Sequence, residues 1–181
     1  MMEVLRFECD GLILIKPKVY ADDRGHFLET YHWQKYRELG INSDFVQDNE
    51  SLSHRLVLRG LHFQSPPFAQ GKLIRVLCGS IYDVAVDIRK NSLTFGKWQS
   101  VVLSAENKHQ FWIPEGFAHG FLALEDNTVI NYKCTANYNA SAERTLLWND
   151  TDLNIGWPET PLIVSSKDKA GEIFRDFVSP F

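Results

Sequence analysis

What most constrains this chain is how little of it can be helical. Helical periodicity is convincing only across Tyr31-His32-Trp33-Gln34-Lys35-Tyr36-Arg37-Glu38-Leu39, where Gly40 stands as a C-terminal stop. A second short helix is expected over residues 169–174. Nearly everything else reads as short β-prone runs parted by Gly, Pro, Asn and Asp clusters. So many short strands in 181 residues predict an all-β fold, a jelly-roll barrel or sandwich with a few short peripheral helices.

No linker, repeat or low-complexity tract divides the chain, so residues 1–181 are read as a single domain, long enough to bury a real core. A net charge of −4 argues against nucleic acid as a partner, because such a binder needs a basic face. Cys9, Cys78 and Cys134 are odd in number and widely spaced, which suits reduced thiols in a cytoplasmic protein. Glu3, Arg6, Glu8 and Asp10 rule out a signal h-region at the start. The apolar run at residues 11–15 is far too short to span a membrane.

Two hairpins are expected. Residues 72–78 and 81–87 flank Gly79-Ser80, a two-residue loop suited to a type II′ turn. Alternation puts Lys72, Asp83 and Asp87 on one face with Ile74, Val76 and Ala85, a semi-polar wall of the kind a ligand cavity has. Leu73, Leu77, Tyr82, Val84, Val86 and Ile88 form the opposite, packing face. The second hairpin runs over 119–125 and 128–134 about Asp126-Asn127. It turns His119, Phe121 and Ala123 to the same side as Ile130 and Tyr132.

The segment Arg59-Gly60-Leu61-His62-Phe63-Gln64 carries the chemistry most worth following. An imidazole that accepts a proton near neutrality, beside fixed positive charge, suits carbanion or enolate chemistry. In a regular strand Arg59 and His62 point to opposite faces. For both to serve one site, Gly60 must mark a bulge or bend. His26, His32, His54 and His109 read as ordinary polar or core histidines. No His-x-His occurs, so a metal would need a site assembled from distant positions, and none is expected. There is no Gly-x-Ser-x-Gly elbow and no glycine-rich phosphate loop. Phosphate binding would fall to Arg24, Arg59, Lys72 and Lys167. For Arg24 the plain alternative is a charged turn, and for Tyr132 a buried structural tyrosine.

With these residues in hand, the chain resembles the dTDP-4-dehydrorhamnose 3,5-epimerase family, a cupin-type jelly roll. The resemblance rests on Asp23-Arg24-Gly25-His26-Phe27-Leu28-Glu29, Gln47-Asp48-Asn49, residues 58–64, residues 71–76 and residues 79–89. It continues through Ile113-Pro114-Glu115-Gly116-Phe117-Ala118-His119-Gly120-Phe121, Tyr132-Lys133-Cys134-Thr135, Trp148-Asn149-Asp150 and Ser166-Lys167-Asp168. It implies inversion at C3 and C5 of a dTDP-linked 4-keto-6-deoxyhexose, without metal or other cofactor. His62 would be the base, Asp168 its orienter, Lys72 the cation at the enolate oxygen and Tyr132 the acid on the opposite face. Arg24, Phe27, Glu29, Gln47, Asn49, Arg59, His119, Tyr138, Glu143 and Lys167, with Lys72, match substrate-binding positions. The resemblance also implies a homodimer with exchanged N-terminal strands, in which Glu29 reaches the partner's site. Asn137 and Ala140 depart from the family's usual aromatic and proline, and Leu93 and Thr151 stand where proline is common. Related readings are a single-carbon epimerase and a non-catalytic sugar-nucleotide-binding cupin.

Overall fold

Alternating apolar and polar residues resolve into two facing sheets in a computed structural model that describes residues 2–181. The strands are β1 (Glu3–Arg6), β2 (Ile13–Lys16), β3 (Val19–Asp22), β4 (Gly25–Leu28), β5 (Gln47–Ser53), β6 (Val57–Gln64) and β7 (Lys72–Cys78). They continue as β8 (Ser80–Asp87), β9 (Trp98–Ser104), β10 (Gln110–Ile113), β11 (Phe117–Ala123), β12 (Thr128–Cys134), β13 (Glu143–Thr145) and β14 (Ile163–Val164). The helices are α1 (Trp33–Glu38) and α2 (Ser166–Lys169). The first sheet runs β1-β2-β10-β7-β12-β5; the second runs β13-β6-β11-β8-β9, with β14 parallel to β6. The chain steps repeatedly from one sheet to the other, as in a jelly roll, and the described strands form a sandwich rather than one closed barrel.

Between the sheets lie Leu14, Ile74, Val76, Ala85, Leu103, Phe111, Phe121 and Ile130, all buried. Each large side chain there contributes about 1.5–3 kcal/mol by leaving water. The intervening positions of the same strands face outward. Ile13, Ile15, Leu73 and Trp112 pack beneath Tyr36 of α1, whose hydroxyl lies within hydrogen-bond distance of Thr30 O and Gln110 Oε1. Val84, Val86, Leu61 and Phe63 pack against Phe174, Phe177 and Trp157 from the C-terminal segment.

Both expected hairpins are absent, although the faces assigned to their residues hold. Only Gly79 separates β7 from β8, and the two strands enter opposite sheets. Gly79 turns this corner at φ +74°, and a Cβ there would lie 2.4 Å from Thr128 Oγ1. Likewise β11 and β12 belong to different sheets, joined through Asn127 at φ +55°. Lys72, Ile74 and Val76 therefore face Asp83 and Ala85 across the interior instead of beside them. The packing face splits as well, Leu73 going to the outside of one sheet and Val84, Val86 and Ile88 to the outside of the other. The expected helix at 169–174 is also displaced. Helix α2 ends at Lys169, and Glu172 instead forms a bridge with Leu146 while a 3-10 turn covers Phe174–Asp176.

The bend expected at Gly60 is present. β11 advances two residues, from His119 to Phe121, while β6 advances three, from His62 to Arg59. The extra residue brings Arg59 and His62 to one cavity. Gly60 has φ +143°, and a Cβ would sit 2.5 Å from Gly120 Cα. Gly60→Ala is accordingly expected to cost roughly 3 kcal/mol, measured by urea unfolding. A loss under 1 kcal/mol would show that this close approach relaxes freely.

Candidate active site

Strand register lays out the two walls of the cavity. On the first sheet, Gln47, Cys134 and Lys72 form one row of neighbours, Asn49, Tyr132 and Ile74 the next, and Ser51, Ile130 and Val76 a third. On the second sheet, His62 lies opposite His119, and Phe121 opposite Arg59 on one side and Asp83 on the other. Between them is a cavity of about 470 Å³, lined by Arg59, His62, Lys72, His119, Tyr132, Lys167 and Asp168 among others. A smaller lobe of about 320 Å³ shares His62, Lys72 and Tyr132 and extends to Gln47, Asn49, Tyr138 and Glu143.

His62 Nε2 lies 2.7 Å from Asp168 Oδ1. Burial alone would raise the Asp168 carboxyl. The hydrogen bond and charge of His62, the Gly60 N–H and the Ser165 hydroxyl outweigh it and hold the group below the ordinary carboxylate range. An ionised carboxylate only accepts, so His62 carries its proton on Nε2 and keeps the Nδ1 lone pair as a base. Asp168 is itself pinned at 3.2 Å by Gly60 N–H, and its own N–H donates to Ser165 Oγ at 3.1 Å, the N-cap of α2. The Ser165-Ser166-Lys167-Asp168 spacing is a capping-box signal that could have singled out Ser165 from the sequence.

The opposite wall is cationic and acidic in the Brønsted sense. Burial pushes the Lys72 ammonium down, opposed by Cys134, Asp83 and Glu143. Burial also pushes the Tyr132 phenol up, so it holds its proton throughout the neutral range. Beside His62 on the second sheet, His119 Nε2 contacts both oxygens of fully buried Asp83 at 3.0 Å. Burial drives the His119 imidazole down more than Asp83 raises it, giving a neutral ring that donates to Asp83. Strand alternation turns Asp83 toward a cavity but does not mark it as part of the site. Its contact with His119 depends on the β8–β11 register, which spans 36 residues of sequence.

At the mouth, Glu143 Oε2 accepts from Tyr138 Oη at 2.8 Å and pairs with Lys167 Nζ at 2.5 Å. Burial would raise the Glu143 carboxyl, but these two contacts hold it below its usual range. The loop lacking the family's usual proline is shaped by Asn139, whose Oδ1 accepts from Ser141 N at 3.0 Å and Ser141 Oγ at 2.7 Å. Arg59 is steadied by Ser53 Oγ and Leu52 O, both at 3.1 Å.

Three expected site residues lie elsewhere in the single chain. Arg24 is paired with Asp22, Glu29 with Lys35 at 2.7 Å, and Phe27 is 68% exposed on the β3–β4 hairpin, which pairs with neither large sheet. Among the described residues, no group of three His, Cys, Asp or Glu is placed to hold a metal. No described helix is long and apolar enough to cross a membrane.

A jelly roll with a His–Asp pair on one wall and a lysine and tyrosine on the other defines a cupin-type epimerase. A family model described as dTDP-4-dehydrorhamnose 3,5-epimerase matches residues 6–176, and the chain belongs to that family. It is similar to the dTDP-4-dehydrorhamnose 3,5-epimerase of Methanothermobacter thermautotrophicus, at 51% identity over 95% of this chain and 94% of that protein. The Shigella flexneri enzyme of the same name is 49% identical, over 97% of each chain. Among solved structures, the dTDP-6-deoxy-D-glucose-3,5-epimerase of Legionella pneumophila, in complex with dTDP-4-keto-L-rhamnose, superposes with TM-score 0.94. It is 47% identical, covering 98% of this chain and 95% of that one.

Proposed function

We propose that the protein converts dTDP-4-dehydro-6-deoxyglucose to dTDP-4-dehydrorhamnose by inverting C3 and C5. The observation that carries this reading is the placement of base and acid on opposite sheets, His62 on β6 and Tyr132 on β12, across one cavity. A ketone at C4 acidifies the protons at C3 and C5, because the carbanion delocalises onto the carbonyl oxygen. His62 Nδ1 removes such a proton while Asp168 stabilises the resulting imidazolium. Lys72 holds positive charge near the oxygen that becomes the enolate, worth about 3–4 kcal/mol of barrier for a well-placed donor. Tyr132 then delivers a proton from the other face. Once the His62 imidazolium has released its proton to solvent and the Tyr132 phenolate has regained one, repetition at the second carbon completes the change. His119, held by Asp83, adds a fixed dipole to the wall beside His62. Arg59 and Lys167 supply charge for the diphosphate, with Gln47, Asn49, Tyr138 and Glu143 around the nucleotide end.

Arg24, Phe27 and Glu29 enter this scheme through a homodimer in which the exposed β3–β4 arm of one copy covers the cavity of the other. Its strands are exposed almost throughout, with Tyr20 and Phe27 presenting apolar surface. The unpaired state of all three cysteines suits a reducing cytoplasm. Incubation of the keto sugar nucleotide with the protein in deuterated water tests the reading. Label at both C3 and C5 by NMR is expected; label at one carbon indicates a single-carbon epimerase, and none refutes epimerisation.

A further inference from the structure

Cys134 is buried on β12 between Gln47 and Lys72, its neighbours on the two flanking strands. It plays no part in the proton transfers described above. Its thiol nevertheless ends a chain of hydrogen bonds that begins at the backbone of Tyr138. The Tyr138 N–H donates to Gln47 Oε1 at 2.7 Å, Gln47 Nε2 to Asn49 Oδ1 at 3.1 Å, and Asn49 Nδ2 to Cys134 Sγ at 3.6 Å.

The direction of this chain is determined at its start. A backbone N–H can only donate, so the Gln47 amide must turn its oxygen to Tyr138 and its nitrogen to Asn49. Asn49 must then accept with its oxygen, which leaves its nitrogen facing sulfur. Both amides line the lobe beside His62, Lys72 and Tyr132. Each has one further N–H not used within the chain, while both side-chain oxygens are occupied. Gln47 and Asn49 therefore each turn a free N–H, rather than a free carbonyl, to the lobe. Thiol sulfur is a weak acceptor, and as the second side-chain partner of Asn49 it reinforces the orientation that Gln47 sets. Burial pushes the Cys134 thiol up despite Lys72, keeping it neutral and uncompetitive as a nucleophile.

We propose that Cys134 is a positioning residue, whose sulfur is the second anchor, beside Gln47, that holds Asn49 in the orientation presenting an N–H donor to acceptor oxygens of the nucleotide sugar. This deepens the epimerase reading and rests on it for the identity of the ligand. With no acceptor at position 134, Asn49 keeps only its Gln47 contact and its amide gains freedom to rotate away from the ligand-binding orientation. Binding suffers, whereas His62, Lys72 and Tyr132 stay in place.

Cys134→Ser, Cys134→Val and Cys134→Ala are to be compared with the unaltered chain by dTDP calorimetry and by steady-state epimerisation, with thermal unfolding as the check on folding. Serine restores an acceptor and is expected to hold Kd and KM within about twofold, while valine and alanine raise both about tenfold with kcat nearly unchanged. The proposal is overturned if valine and alanine match the unaltered chain, or if serine is impaired as much as they are, which would indicate packing alone. Should the unaltered chain bind dTDP but exchange no substrate proton, the epimerase reading falls. The dTDP affinities of the three variants still decide the role of Cys134.

Discussion

His62→Ala is expected to abolish deuterium incorporation at C3 and at C5 together, lowering the exchange rate by about 10³-fold or more. The argument is geometric. In a gluco-configured ring the hydrogens at C3 and C5 project from the same face, so one base on one wall of the cavity can reach both in turn. Of the two histidines that line the cavity, His62 has the more exposed side chain, 28% against 10% for His119. His119 is a poor substitute, since its neutral ring is committed to Asp83. Removing His62 leaves Asp168 with the Gly60 N–H and the Ser165 cap, so the α2 anchor keeps two of its contacts and the variant should fold. Circular dichroism and dTDP binding supply the controls. Persistence of exchange at either carbon at the original rate would place the base elsewhere.

Lys72, Ile74 and Val76 show how much of the site could be read from residue order. Period-two alternation determines which side of a strand a residue occupies, and that assignment held for Lys72, Asp83, His119 and Tyr132. Alternation is silent about which strand lies alongside. Gly79 and Asn127 look like hairpin residues because both favour positive φ, yet here each turns the chain across to the other sheet. A local turn preference cannot separate a hairpin from an arch; the packing of the two sheets decides. The Gly60 bend was legible because Arg59 and His62 could share a cavity only through an extra residue. The Asp83–His119 contact and the Tyr138–Gln47–Asn49–Cys134 chain were not, because each depends on registers between strands far apart in sequence. Phe27 and Glu29 rest on family likeness alone and Arg24 on likeness and its charge, and nothing local to their hairpin turns them toward the cavity of their own chain.

Tyr132→Phe should separate the two halves of the reaction. Loss of the hydroxyl is expected to lower the formation of epimerised product by about 10²–10³-fold while solvent exchange at C3 and C5 continues. With His62, Asp168 and Lys72 intact, the proton still leaves and the enolate still forms. The imidazolium exchanges with deuterated solvent and returns deuterium to the face from which hydrogen departed. Label therefore enters without inversion. Phenylalanine keeps the ring that packs against the interior core cluster, so the change is confined to the acid. Burial already holds the Tyr132 phenol above its ordinary pKa, so in the unaltered enzyme the alkaline limb of activity should not appear below about pH 10 on its account. A variant that formed inverted product at the original rate would show that the proton on the far face comes from water or another side chain. Loss of exchange as well as product would instead mean that the hydroxyl helps to form the enolate, as a hydrogen-bond donor beside Lys72, before it acts as an acid.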